Sequence, residues 1–400
     1  MSKLFEPFHV RNLTTRNRIW IPAMCQYSCE EQDGVVGNWA LVHYTSFAKG
    51  GAGLMIAEAT AVAPIGRISP WCAGIWNDEQ QIAWEAVVDS VHLNGGKIGI
   101  QLAHAGRKGS THREGSGVGS VDLEHGGWET VSSTDQPFEG YANPRQLDTS
   151  ELEGIKGEFV AAARRAVNAG FDLIEIHAAH GYLLHQFLSP ITNHRDDIYG
   201  GSLENRARLL VEIVIAVRVE IGDDLPLAVR FSASDWIENG WNEEDTSKVA
   251  KWLEDAGADL FDISSAGLST AQKITVGPGY QVPLAEYVGE RVEAPVSAVG
   301  MITTGTQAEE ILSHGKVELI MVGRAALGDP YWPIRAAKEL GVEIDYIPIF
   351  VPWYWQPEYR REPPEGFALS AQDAEYAEAF GLDMEQMAWR AHKIAEYGDG

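Results

Sequence analysis

Short apolar runs alternate with longer amphipathic runs eight times along the 400 residues, and this alternation restricts the fold more than any other feature of the chain. Strands are expected at Ile19–Met24, Gly53–Val62, Lys97–Ala105, Phe171–His180, Pro226–Ser232, Leu260–Ala266, Ala294–Gly300 and Leu319–Ala325. Helical periodicity fills Asn38–Lys49, Asp78–Asn94, Thr149–Ala169, Ser202–Ile221, Glu243–Ala256, Thr304–His314 and Pro330–Leu340. Thr149-Ser-Glu-Leu-Glu and Asn242-Glu-Glu-Asp each place a capping side chain before an acidic first turn, which suits the positive end of a helix dipole. Strands that are apolar on both faces and separated by helices predict an α/β fold, a closed parallel (β/α)8 TIM barrel. A doubly wound sheet would call for a GxGxxG turn after a strand, and none follows these.

Two segments depart from the repeat. The connection from Gly106 to Asp148 is rich in Gly, Ser and His and leaves from the C-terminal end of the third strand, so a lid or substrate-shaping excursion is expected there. After Leu340 the chain turns aromatic and proline-rich, which sets a barrel domain over 1–345 and an extension over 346–400. Within that extension Asp383-Met-Glu-Gln386 reads as a capping box with Leu382 and Met387 as its staple.

The charge balance, 31 basic against 57 acidic residues, argues against DNA, RNA or an anionic membrane as partner, because phosphate binding needs clustered Lys and Arg. The first residues carry no apolar signal-peptide core, and no run approaches the roughly 18 apolar residues of a membrane span, so a cytoplasmic protein is expected. Cys25, Cys29 and Cys72 are too few for a disulfide framework, a two-half zinc site or a four-cysteine iron–sulfur cluster, and no metal is expected.

A barrel brings its strand ends to one mouth, whatever their separation in sequence. Those ends carry Cys25, then Ala59 and Thr60, then Gln101 and His104, then His177, His180 and Tyr182, followed by Arg230, Ser264, Gly300 and Gly323-Arg324. No paired carboxylates stand among them, which excludes the usual glycosidase chemistry. His177 and His180 read either as satisfied rim histidines or as a site, and Tyr182 beside them favours a site. The glycines after the last two strands make tight turns or admit a phosphate, which Arg324 could clamp. Gln101 and Arg230 lie inside strands, where a flat ring with carbonyl and imide edges would satisfy both. Phosphate at one side and such a ring at the other describe FMN, with Cys25 either an inert core thiol or a neighbour of the ring.

Met24-Cys-Gln-Tyr27, Glu58-Ala-Thr-Ala-Val62, Gln101-Leu-Ala-His-Ala-Gly-Arg-Lys108, His177-Ala-Ala-His-Gly-Tyr182 and Tyr199-Gly-Gly-Ser-Leu-Glu-Asn-Arg206 together resemble the old yellow enzyme family of FMN-dependent ene-reductases. The resemblance covers about residues 3 to 345 and is nearest the thermophilic-like subclass that includes xenobiotic reductases. It implies that Ala59, Gln101, Arg230, Gly300, Gly323 and Arg324 bind FMN, with Pro22, Met24 and Cys25 beside the ring and Cys25 tuning its potential. It implies that His177 and His180 hold a carbonyl or nitro oxygen, that Tyr182 gives a proton, and that Tyr27 and Lys108 line the substrate pocket. NADPH or NADH would reduce the flavin, and an enone or nitro compound would then reoxidise it from the same place, as a homodimer or homotetramer. In relatives of this subclass a C-terminal side chain enters a neighbouring site. Trp355 and Arg360 stand about where it would fall, although the chain from Phe350 onward departs from the family.

Two other classes compete with this reading. A non-redox phosphate-binding barrel would want a Schiff-base lysine or a carboxylate at a strand end. A flavin-binding protein without turnover would carry the same motifs.

Overall fold

Residues 2–344 are described by the computed structural model, and the expectations for Trp355, Arg360 and the segment 346–400 lie outside them. The elements below belong to one compact unit, Met1–Val342.

A short antiparallel hairpin, β1 (Phe8–Val10) and β2 (Leu13–Thr15), precedes the barrel. The barrel strands begin with β3 (Ile19–Ile21), β4 (Leu54–Ala61) and β5 (Ile98–Ala103). Inside the long connection, β6 (Val131–Ser132) pairs with β7 (Arg145–Gln146). The barrel resumes with β8 (Leu173–Ala178), β9 (Leu227–Ser232), β10 (Leu260–Ser264), β11 (Val296–Ala298) and β12 (Leu319–Met321). The eight strands follow one another in sequence order, all parallel, and β12 closes on β3 through Ile320↔Ile19 and Met321↔Trp20. The expected TIM barrel is therefore the observed one.

The helices are α1 (Asn38–Gly50), α2 (Asp78–Leu93), α3 (Thr149–Asn168), α4 (Leu183–Leu188), α5 (Leu203–Ile221), α6 (Glu243–Asp255), α7 (Val282–Gly289), α8 (Gly305–Ser313), α9 (Arg324–Gly328) and α10 (Trp332–Glu339). Asn242 caps α6 as expected, accepting from Glu244 N and Asp245 N at 3.0 Å. The cap of α3 falls one residue before Thr149. Asp148 forms a capping box with Glu151, whose Oε2 accepts Asp148 N at 2.7 Å. Three expectations are corrected. Strands end earlier than their apolar runs, so His180 sits in a turn and Arg324 opens a helix. The stretch Pro330–Leu340 begins later, as α10, after the separate α9. The short helices α4 and α7 lie in segments read as connections, because six or eight residues are too few to display a helical period.

Alternation along the strands sorts their side chains into two environments. Ile19, Ile21, Met55, Ala57, Ile174, Ile176, Val229 and Phe231 join the core shared with the helices. Trp20, Leu54, Ile56, Leu173, Ala228, Leu260, Leu319 and Met321 instead form a separate cluster with Phe8 and Leu13 of the hairpin, which closes the N-terminal end of the barrel as an apolar floor. Trp20 is fully buried there and meets the Phe8 ring edge-on at 5.8 Å.

Replacing Trp20 by Ala opens a cavity in that floor, where no helix can move in to fill it, and should cost about 4 kcal/mol. Denaturant unfolding followed by circular dichroism reads this as a lowered midpoint; an unchanged midpoint would show that the floor does not support the barrel.

Candidate active site

The turn after β8 is built by two consecutive left-handed residues, His180 at φ 58° and Gly181 at φ 72°. A Cβ on Gly181 would lie 2.3 Å from Gly267 O, so only glycine fits. Every backbone polar group of the turn is held. His180 N donates to Ser232 Oγ (2.8 Å), and Lys108 Nζ donates to His180 O (2.8 Å). Gly181 N donates to His185 Nδ1 (2.9 Å), Gln186 Nε2 donates to Gly181 O (2.7 Å), and Tyr182 N donates to Ala179 O (3.1 Å). The rings of His180 and Tyr182 consequently stand 5.2 and 5.1 Å from that of His177, and all three gather at the mouth as the sequence predicts.

Burial pushes both histidines well below the usual imidazole range, with the Arg230 charge the next cause for each. His177 Nδ1 accepts weakly from Ala179 N (3.4 Å), which leaves its Nε2–H free to donate. His180 Nε2 lies 2.8 Å from Ser264 Oγ. Burial likewise raises Tyr182, with Cys25 contributing, so its phenol stays protonated at neutral pH. Lys108 is brought down to about 8 by burial and by Arg107, and its Nζ sits 5.0 Å from the Tyr182 ring centre.

The surroundings of the Tyr182 ring are apolar. Cys25, Tyr27 and Tyr182 pack against Ala59, Ile68, Cys72, Ala103 and Ala105. Burial, then Glu58, pushes the Cys25 thiol up to about 12, so it is not a thiolate. Glu58 is the extra residue where the β4–β5 register slips between Ala57 and Ala59. Its Oε2 accepts Gln26 N at 2.9 Å, fixing the segment that carries Cys25 and Tyr27, and burial raises its carboxyl to about 7. Pro22 and Met24 lie 3.6 Å from where a Gly323 Cβ would stand, so the first and last strand ends meet. Gly300, at φ 125°, backs onto Gln281, which accepts from Ser265 Oγ (2.6 Å).

Below this mouth the barrel interior is polar, and here the structure corrects the sequence reading. Gln101 donates to Glu175 Oε1 (2.7 Å), Arg230 Nε pairs with Asp262 Oδ2 (2.8 Å), and Ser297 Oγ donates to Asp262 Oδ1 (2.5 Å). Gln101 and Arg230 thus find partners inside the protein before any ring is considered. Two buried carboxylates, absent from the strand ends, stand one layer deeper. Burial and the neighbouring Asp262 raise Glu175 to about 8. A trace of this layer was in the sequence: Glu175 and Asp262 precede by two the mouth residues His177 and Ser264, and a spacing of two keeps one face of a strand.

The long connection starts at Lys108 and docks back on the barrel. Arg107 Nη2 donates to Leu268 O (2.8 Å), Trp128 Nε1 donates to Ile65 O (3.0 Å), and Arg67 lies over the Trp128 ring at 4.9 Å. Arg324 is exposed and forms no ion pair among the described residues, although the chain carries a net charge of -26. No group of three or more His, Cys, Asp or Glu among the described residues could hold a metal, and no helix there is long and apolar enough to cross a membrane.

The profile of the NADH:flavin oxidoreductase / NADH oxidase family matches residues 3–343. An NADPH dehydrogenase of Geobacillus thermodenitrificans (strain NG80-2) is 45% identical over 343 residues, covering 86% of this chain and 96% of the relative. Morphinone reductase superposes with a TM-score of 0.71 at 28% identity, over 86% of this chain and 91% of that one. The old yellow enzyme homologue from Zymomonas mobilis superposes with a TM-score of 0.70 at 28% identity, over 88% of this chain and 99% of that one.

Because burial and Arg230 both disfavour the imidazolium, His177 and His180 should stay neutral as the pH falls from about 8 to about 6, through the ordinary histidine range. An NMR titration of the imidazole nitrogens checks this; a protonation step near the ordinary value of about 6.5 at either ring would contradict it.

Proposed function

The chain belongs to the NADH:flavin oxidoreductase / NADH oxidase family, and on that premise we propose that it reduces activated C=C bonds of α,β-unsaturated carbonyl or nitro compounds. It is an FMN-dependent NAD(P)H oxidoreductase of the old yellow enzyme type. The donor set fits the cofactor: Arg324 is a cation without a carboxylate partner among the described residues, suited to a phosphate, Gln101 stands in register with Ala59, and Arg230 Nη1 reaches Ala23 O (3.3 Å) between Pro22 and Met24. At the last strand end Gly323 leaves room for close approach, with nothing nearer than 3.6 Å to where its Cβ would stand, while the bare side of Gly300 is taken up by Gln281. Bound FMN would supply hydride transfer, in alternate half-reactions with NAD(P)H and with the alkene.

The observation that carries the reading is a pair of neutral imidazoles and a protonated phenol gathered at one mouth. His177, through Nε2–H, and His180 would donate to the substrate's carbonyl or nitro oxygen, where negative charge grows as hydride arrives at the β-carbon. Tyr182 would deliver the proton to the α-carbon, and the ammonium of Lys108 against its ring would ease that release. Tyr27 and Cys25 would line the pocket beside Tyr182, with the neutral thiol modulating the flavin potential. Morphinone reductase, whose fold this chain shares, is named for an enone substrate, which supports the same class here.

The purified protein should be yellow, release FMN on denaturation, bleach anaerobically with NADPH or NADH, and recover its colour with cyclohexenone. A colourless protein that cannot be reconstituted with FMN would sink the reading. Replacing both His177 and His180 by Ala should weaken phenol binding to the oxidised enzyme by about tenfold or more, the scale of two lost hydrogen bonds. Tyr182→Phe should slow the alkene half-reaction about a hundredfold while sparing reduction by NADPH, as stopped-flow absorbance would report.

A further inference from the structure

Behind the reactive turn lies a fully buried pair that the chemistry above does not use. His185 Nε2 in α4 stands 3.0 Å from Asp235 Oδ1 just after β9, an ion-pair contact between side chains excluded from solvent, and neither atom forms a hydrogen bond among the described residues. The other edge of the imidazole faces the turn, where Nδ1 accepts the Gly181 amide at 2.9 Å. A ring nitrogen that accepts a hydrogen bond carries no proton, so the proton of the neutral ring resides on Nε2, the edge beside the carboxylate. Asp235 is itself anchored, because its Oδ2 accepts Ser189 Oγ at 2.6 Å and Trp241 N at 2.8 Å.

Gly181 is the link between the two reactive side chains. It follows His180, a non-glycine residue in the left-handed region, and precedes Tyr182. Its own space is filled by Gly267 and Leu268, so the turn cannot relax sideways. Its amide has one acceptor, and that acceptor exists only in one tautomer of His185.

We propose that His185 and Asp235 form a positioning dyad: the carboxylate locks the Nε2–H tautomer, Nδ1 then holds the Gly181 amide, and this sets the aim of His180 and Tyr182 at the substrate. The inference rests on the reading of His177, His180 and Tyr182 as the substrate clamp. No bond is made or broken at the dyad itself, and its two residues are positioning rather than catalytic groups.

The test uses Asp235→Asn in the FMN-loaded enzyme. The amide oxygen can still accept from Ser189 and Trp241 N, but its NH2 would face His185 Nε2, drive the ring proton to Nδ1 and set it against the Gly181 amide. Nitrogen NMR of the unsubstituted protein should show His185 protonated at Nε2 and bare at Nδ1, with the assignment reversed in Asp235→Asn. Phenol affinity of the oxidised enzyme should fall about tenfold in that variant, the scale on which loss of an orienting partner weakens a site. His185→Asn, which restores an acceptor near the Nδ1 position, should recover most of the affinity that His185→Leu loses. A bare Nε2 or a protonated Nδ1 in the unsubstituted protein overturns the dyad, even if Asp235→Asn does not fold. Phenol affinity in Asp235→Asn within about twofold of the parent also overturns it. If the double alanine variant of His177 and His180 keeps full phenol affinity, the clamp itself falls, a result distinct from either of these.

Discussion

One buried cation organises this molecule. Arg230 occupies an inward position of β9 at the middle of the barrel, and a guanidinium there is tolerable only with a matched partner, since breaking a buried pair costs about 3–5 kcal/mol against a total stability of about 5–15 kcal/mol. Asp262 supplies that partner at 2.8 Å from the adjacent strand, in direct register with Arg230, and Ser297 from the next strand fills the other carboxylate oxygen. A slip of one residue between β9 and β10 would put the two charges on opposite faces and break the pair, so it defends the strand register as well as the site.

The same charge sets the chemistry above it. Its field adds to burial in keeping His177 and His180 neutral, so the mouth offers uncharged hydrogen-bond donors rather than a permanent anion trap. Burial and the neighbouring Asp262 raise Glu175, which favours its neutral form over a second negative charge beside Asp262. Arg230 and Asp262 then balance within the layer, and the polar interior stands between the apolar floor of Trp20 and Leu319 and the open mouth.

Continuous apolar runs and strand–helix alternation were enough to read the barrel, because every βα unit repeats them. They were not enough to place the ends of elements. The apolar run through Leu319-Ile-Met-Val-Gly-Arg324 continues past the last ladder bond, and only the closure onto β3 shows that pairing stops at Met321. At the site, the residues met at the mouth were legible as strand ends. Glu175, Asp262, Glu58 and the His185–Asp235 pair were not, because each is defined by a partner on another element: Glu175 by Gln101, Asp262 by Arg230, Glu58 by Gln26, His185 by the turn behind it. Polar residues inside apolar strands are the trace such networks leave in a sequence, and the trace says that a partner exists without saying which.

The turn from Ala179 to Tyr182 shows why those partners matter. Its two left-handed residues store strain of about 1–3 kcal/mol where non-glycine backbone is concerned, and such a conformation persists only if its surroundings over-determine it. Five hydrogen bonds do so, and they come from separate parts of the fold: Ser232 at the end of β9, Lys108 at the start of the long connection, His185 and Gln186 on α4, and Ala179 within the turn. Because the supports are independent, losing one leaves the barrel standing while the aim of two side chains changes. Stability and reactivity are therefore separable here: the floor and the Arg230 layer hold the barrel, and the ring of supports around Gly181 holds the geometry that the barrel exists to present.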